Sequence, residues 1–363
     1  MLASKLLDLF YKKNIRFITG VPDSCTSELS KFLLNEKNKK FTHLIAPNEG
    51  TAVSLGIGHY LTTKKIPCIY LQNSGFGNAT DPITNLCHNH VYGIPLILLI
   101  GWRGKPGLKD EPQHIIQGST ICKTLKNYKI PYYDTNKISL NKISNIINLT
   151  KKNNQITALL IDKNFFDKKK FKFTKKRNKV NRSDAINSLL KNLKMNFKLI
   201  SSVGYNSREI LLQNHSKKKS PFYLIGGMGH TLAVSLGSLN SENKCLVCVD
   251  GDGSFYMHQG SFSLLKKDHK LIYCLLDNSS HESVGEVNLN YSMKNFKDFA
   301  KSVGFKKYIK ITNLNQLTSC FKNLKKNSLP VFIHVITNIE RNANLPRPSA
   351  KELKKIKYDF MNK

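Results

Sequence analysis

The chain alternates between two periodicities. Short, β-rich apolar runs occur at residues 16–19, 43–46, 67–71, 95–100 and 157–161, and most are separated by stretches with apolar residues at helical spacing. Strands that alternate with helices in this way form a parallel sheet covered on both faces. The first stretch shows the helical spacing clearly: Leu2, Leu6 and Phe10 recur at i, i+4, with Lys5, Lys12 and Lys13 between or after them. After a lapse the alternation resumes, with strands predicted at 197–201, 222–225, 245–250, 271–276 and 331–336 and helices between them, including 228–239 and 255–266. The fold class that follows is α/β, with two doubly wound parallel-sheet domains of similar size. No repeat occurs at solenoid periods.

The lapse falls in a Lys- and Asn-rich stretch, so the predicted division is a first domain over residues 1–165, a basic linker over 166–182 and a second domain over 183–363. A length of 363 residues agrees, because it exceeds the usual size of one hydrophobic core.

A formal net charge of +33 raises the alternative of a basic nucleic-acid-binding protein. The lysines are spread along the whole chain, without an aromatic-interleaved basic groove, and the expected reading is a solvated cationic surface. The eight cysteines are scattered. Cys245 and Cys248 have CxxC spacing, but on a strand they would point to opposite faces and could not share a zinc ion. All eight are expected to be reduced core thiols in a cytoplasmic protein, with no bilayer-spanning segment and no membrane partner.

Chemistry concentrates in loops that follow strands. One apolar run ends in Asp250, Gly251, Asp252, Gly253 and Ser254, where glycines allow close backbone approach to a phosphate and Asp252 can bind a cation. A second run ends in Asp277 and Asn278, followed by Ser279, Ser280 and His281. One helix and one strand separate Asp252 from Asn278, so both can meet at the carboxyl edge of neighbouring strands and hold Mg²⁺ beside a diphosphate. Gly226, Gly227, Met228, Gly229 and His230 also follow a strand and open a helix. The segment is not GxGxxG, and a dinucleotide-binding dehydrogenase is poorly supported. In the first half, Pro47, Asn48, Glu49 and Gly50 join a strand to a helix, where Glu49 could simply cap the helix.

These loops resemble those of thiamine diphosphate-dependent 2-oxo-acid decarboxylases. The resemblance implies that Asp252 and Asn278 give side-chain oxygens, and Ser280 a carbonyl, to Mg²⁺. It places Gly227, Met228, Gly251, Gly253, Ser254 and Asn73 against the cofactor, with Met228 propping its bent form. Glu49 would hydrogen-bond the aminopyrimidine ring and promote loss of the thiazolium proton. Pairing of a pyrimidine-binding with a diphosphate-binding domain implies self-association, as a dimer or higher, with active sites at subunit interfaces.

Three further loops are similar to those of phosphonopyruvate decarboxylases: residues 21–24, 72–78 and 101–114. A substrate bearing a carboxylate and a phosphonate needs cationic and hydroxyl or amide donors, and Asp23, Ser24, Arg103 and Lys105 or Lys109 are candidates for binding it. Asp23, His114 and His281 are candidates for moving protons. Arg103 could instead pair with Asp110 or Glu111 to fix its loop, and the histidines could be ordinary hydrogen-bond partners. Sulfopyruvate decarboxylase is the nearest alternative. Glu286 departs from the expected pattern, since an added carboxylate would repel a dianion.

Overall fold

The computed structural model describes residues 1–35, 40–168, 180–214, 219–239, 245–340, 342 and 344–362. The chain divides into two compact units, Met1–Lys172 and Phe173–Lys363.

In the first unit, β1 (Phe17–Gly20), β2 (Thr42–Ile45), β3 (Cys68–Gln72), β4 (Leu96–Gly101), β5 (Tyr132–Asp134) and β6 (Ile156–Ile161) form one sheet. The order is β2-β1-β3-β4-β6-β5, with every pair parallel. Alternate residues of β3 serve two cores. Cys68 and Tyr70 pack with Leu6, Leu7 and Phe10 of the helix Ala3–Lys12. Ile69 and Leu71 pack with Ala52, Val53 and Phe76 on the other side. Burial on both faces is why the central strands read as unbroken apolar runs.

The second unit contains β7 (Phe197–Ser201), β8 (Phe222–Tyr223), β9 (Cys245–Gly251), β10 (Leu271–Asp277), the short pair β11 (Ser280–His281) and β12 (Val287–Asn288), β13 (Lys307–Ile311) and β14 (Val331–Ile336). Six of them form a parallel sheet in the order β13-β14-β10-β9-β7-β8, and β11 and β12 form a separate antiparallel pair. Cys245 and Cys248 enter different cores on opposite faces of β9. The cysteines are all free thiols, although Cys122 and Cys320 are only half-buried.

The differences from the sequence reading have local causes. β5 and β13 are edge strands, and β13 turns Lys307 and Lys310 to solvent, which hides its apolar pattern. The helix expected from residue 228 begins at Thr231, because Gly227 and Gly229 take φ values of +65° and +88° and hold a turn. The helix expected over 255–266 is instead the short helix Asp252–Met257 and a 3₁₀ segment, Gln259–Leu264, broken at His258. At the ends of the expected linker, Phe166 belongs to the first unit's core and Val180 to the second's, while residues 169–179 lie outside the described residues.

In each sheet the strand order reverses between β1 and β3 or between β7 and β9, and again at the far edge, where β6 precedes β5 and β14 precedes β13 in the order away from that reversal. The chemically rich loops leave the carboxyl ends of strands at and beside the first of these reversals, where open α/β sheets place ligands.

Candidate active site

In the second unit, the loops after β9 and β10 meet at one carboxylate. Asp252 Oδ2 accepts the main-chain N–H groups of Asn278 at 3.2 Å and Ser280 at 3.1 Å, while Oδ1 accepts that of Gly253 at 2.7 Å. Burial, and then the neighbouring Asp277, push the Asp252 pKa well up. Asp277 is held in the opposite direction: burial opposes it, but His334 at 2.9 Å keeps its carboxyl below the usual range.

The turn after β8 packs on the same loop. Gly229 N–H donates to Ser254 Oγ at 3.1 Å. A Cβ on Gly253 would lie 2.8 Å from the His281 ring and 3.1 Å from the Met228 methyl, so glycine lets all three approach. His281 is buried, which lowers its pKa to about 4, and its Nε2 has no hydrogen-bond partner among the described residues. Beneath the loop, buried Asp250 accepts from Thr231, Gly251 and Tyr273 and anchors its base.

Asn278 has a partner that sequence reading missed. Its Nδ2 donates to Glu282 Oε2 at 2.7 Å, and Arg182 Nη1 donates to the same oxygen at 2.6 Å. Arg182 lies 100 positions before Glu282, and no local pattern links them.

In the first unit, Glu49 opens the helix Glu49–Thr63 after β2. The capping role expected for it falls to Asn48, whose side chain accepts Thr51 N–H at 2.8 Å. The segment after β3, expected as a loop, is a 3₁₀ turn, Asn73–Gly75, and a short helix, Phe76–Pro82. The buried Glu49 carboxyl accepts from Asn78 Nδ2 of that helix at 2.8 Å. A Cβ on Gly75 would collide with the Glu49 carboxyl, so a larger residue there must displace it. Burial raises the Glu49 pKa, with the Asn78 bond opposing it.

The loops after β1, β3 and β4 form a second cluster. Asp23 Oδ1 accepts from the Thr26 N–H and hydroxyl, while its buried Oδ2 lies against Gly101 without a hydrogen-bond partner among the described residues. Asn73 is buried and bridges loops, exchanging two hydrogen bonds with the Arg103 main chain at 2.8 and 3.1 Å. Arg103 forks onto Asp110 at 2.8 and 2.5 Å and donates through Nη1 to Ser24 Oγ at 2.8 Å. His114 Nδ1 also meets Asp110, at 2.9 Å, and burial lowers its pKa despite that partner. Lys105 is fixed between Asp134 and Asp162. Lys109 is exposed on the same loop. The lone tryptophan is a peg, with Trp102 Nε1 donating to the Gly118 carbonyl at 2.8 Å.

Two family models match the chain: the N-terminal TPP binding domain of thiamine pyrophosphate enzymes over residues 2–123, and their C-terminal TPP binding domain over residues 204–335. The chain belongs to the thiamine pyrophosphate enzymes. The two segments contain every site residue named from the sequence. A phosphonopyruvate decarboxylase of Streptomyces hygroscopicus is 26% identical to this thiamine pyrophosphate enzyme, in an alignment covering 96% of the chain and 90% of that protein. One of Streptomyces viridochromogenes is also 26% identical, covering 88% and 84%. A sulfopyruvate decarboxylase of Methanosarcina acetivorans is 24% identical, covering 87% of each.

The cofactor of this thiamine pyrophosphate enzyme is thiamine diphosphate, and the second unit offers a fitting place for its anionic end. Ser280 N–H stands 3.0 Å from Asn278 Oδ1 and 3.1 Å from Asp252 Oδ2, so two oxygens from different loops converge on one proton. A carboxylate and an amide oxygen are hard donors of the kind Mg²⁺ takes beside phosphate. Burial and Asp277 disfavour the ionised form of Asp252, and a cation beside it would favour that form again. Among the described residues no cluster of three or more His, Cys, Asp or Glu side chains could hold a metal ion.

Proposed function

We propose that the chain is a Mg²⁺-dependent decarboxylase of an anionic 2-oxo acid, with 3-phosphonopyruvate as substrate and phosphonoacetaldehyde and CO₂ as products. Support for the reaction class comes from the family membership together with the buried Glu49. Support for the substrate comes from similarity to two phosphonopyruvate decarboxylases over most of the chain. The sulfopyruvate decarboxylase keeps a second reading in view, since its alignment also covers 87% of the chain.

In this reading Asp252, Asn278 and the Ser280 carbonyl hold Mg²⁺, and Gly251, Gly253 and Ser254 form the phosphate-facing turn. Gly227 and Met228 lie along the cofactor, while Asn73 braces the start of the helical segment that carries Gly75 and Asn78. Bound thiamine diphosphate supplies the electron sink that lets the carboxylate leave as CO₂. Glu49 meets the cofactor's aminopyrimidine with its carboxyl, and burial shifts that carboxyl toward its protonated form. His281 stays neutral and presents Nε2, an atom able to accept or return a proton. Asp23 Oδ2 and His114 are the corresponding groups in the first unit.

The acidic group of the substrate falls to Ser24, Arg103 and Lys109. The fork to Asp110 balances the Arg103 charge, so Arg103 contributes directed N–H groups while Lys109 adds an exposed charge. Self-association belongs to the same reading, and an active monomer in sedimentation would contradict it. The deciding assay is CO₂ release from phosphonopyruvate, sulfopyruvate and pyruvate, with and without added thiamine diphosphate. Cofactor-dependent release, fastest from phosphonopyruvate, is expected; preference for sulfopyruvate would transfer the assignment, and release from none would remove it.

A further inference from the structure

Asn278 can turn either of two atoms toward the Asp252 loop: an oxygen that accepts, or an NH₂ that repels a cation. A half-turn about its terminal bond exchanges them. Its neighbours distinguish the two. Ser280 N–H donates to Oδ1 at 3.0 Å, and Glu282 Oε2 accepts from Nδ2 at 2.7 Å. A carboxylate only accepts and an amide N–H only donates, so the pair admits one orientation of the side chain. Glu282 is buried at 7% exposure and is itself fixed by Arg182, at 3% exposure, whose Nη2 donates to the Glu340 carbonyl at 2.7 Å.

We infer that Glu282, braced by Arg182, is a positioning residue that keeps the Asn278 amide oxygen turned toward Asp252 and thereby sets the affinity for the divalent cation. The inference rests on the reading above of Asn278 as a metal ligand. Glu282 touches neither metal nor substrate in this account. It acts by making the wrong amide orientation costly, because a flip would set the Asn278 oxygen against a buried carboxylate and its NH₂ against the Ser280 N–H.

The test is the Mg²⁺ concentration giving half-maximal thiamine diphosphate binding, followed by calorimetry with the full-length protein. Glu282→Gln is nearly isosteric but can accept or donate, so it no longer selects an orientation, and the Mg²⁺ requirement should rise about tenfold or more. Asn278→Asp presents an oxygen in either orientation. In that background the same Glu282→Gln change should leave the Mg²⁺ requirement unchanged or lower it, as like charges are separated. A purely structural Glu282 predicts an equal rise in both backgrounds, and that result, or no rise in the single variant, overturns the inference. Should Glu282→Gln fail to fold, Glu282→Asp keeps the charge facing Arg182 but withdraws the acceptor from Asn278. The same rise is expected there, and its absence is equally fatal. Cofactor binding by the wild type that ignores Mg²⁺ would instead sink the metal reading itself, before any Glu282 variant is compared.

Discussion

The Asn78 amide donates to the Glu49 carboxyl at 2.8 Å, between the helices Phe76–Pro82 and Glu49–Thr63, which follow different strands of one sheet. Asn48 already caps the helix, so the buried acid is spared for another purpose. Glu49→Gln should therefore keep the fold and the affinity for thiamine diphosphate while lowering turnover on the order of 10²- to 10⁴-fold. Steady-state rates beside calorimetric binding check this, and a wild-type rate would end the glutamate assignment.

Gly75→Ala tests the same contact from the opposite side. The added methyl would meet Glu49 Oε1, so the carboxyl or the loop must move. Turnover should fall with Glu49→Gln as the reference, accompanied by a stability loss of about 1–3 kcal/mol for overpacking. Full activity in this variant would show that the carboxyl position is not critical.

Much of this arrangement was legible in the chain before any coordinates. Buried central strands such as β4 and β10 announce themselves as apolar runs, and glycine-rich turns after β8 and β9 mark where backbone must pass close to something. What stayed hidden had physical causes. Edge strand β13 mixes lysines into its pattern, and the Arg182–Glu282 pair depends on where distant chain segments meet. Arg103 pairing with Asp110 was one of two readings of that loop. Lys105, one of two lysines the loop offers for anion binding, is instead paired with Asp134 and Asp162, which come from other segments of the chain.

Arg103→Lys probes the substrate end. Lysine keeps the charge but loses the planar fork that engages Asp110 while reaching Ser24. KM for the anionic oxo acid should rise roughly tenfold, with a smaller change in kcat. Unchanged KM would confine Arg103 to holding its loop.

Acid sensitivity should follow the buried histidines. Burial lowers the pKa of both His43 and His281 to about 4, against an ordinary value of 6.5. Between those values the unfolded chain binds more protons than the folded one, so stability is lost as pH falls through 6.5 toward 4. The slope is at most about 1.4 kcal/mol per pH unit for each ring. His43→Gln should flatten the fall in melting temperature between pH 6.5 and 5 relative to wild type; an equal fall would assign the acid sensitivity elsewhere.

The central claim is that Asp252 and Asn278 share a divalent cation that holds the diphosphate. Thiamine diphosphate titrated calorimetrically into wild type and Asp252→Asn, each with Mg²⁺ and with a chelator, tests it most directly. Asparagine keeps the size of the side chain while removing its charge. Tight binding by wild type only when Mg²⁺ is present, and loss of that Mg²⁺ dependence in the variant, is the expected result. Equal Mg²⁺-dependent affinity in both proteins would contradict the account.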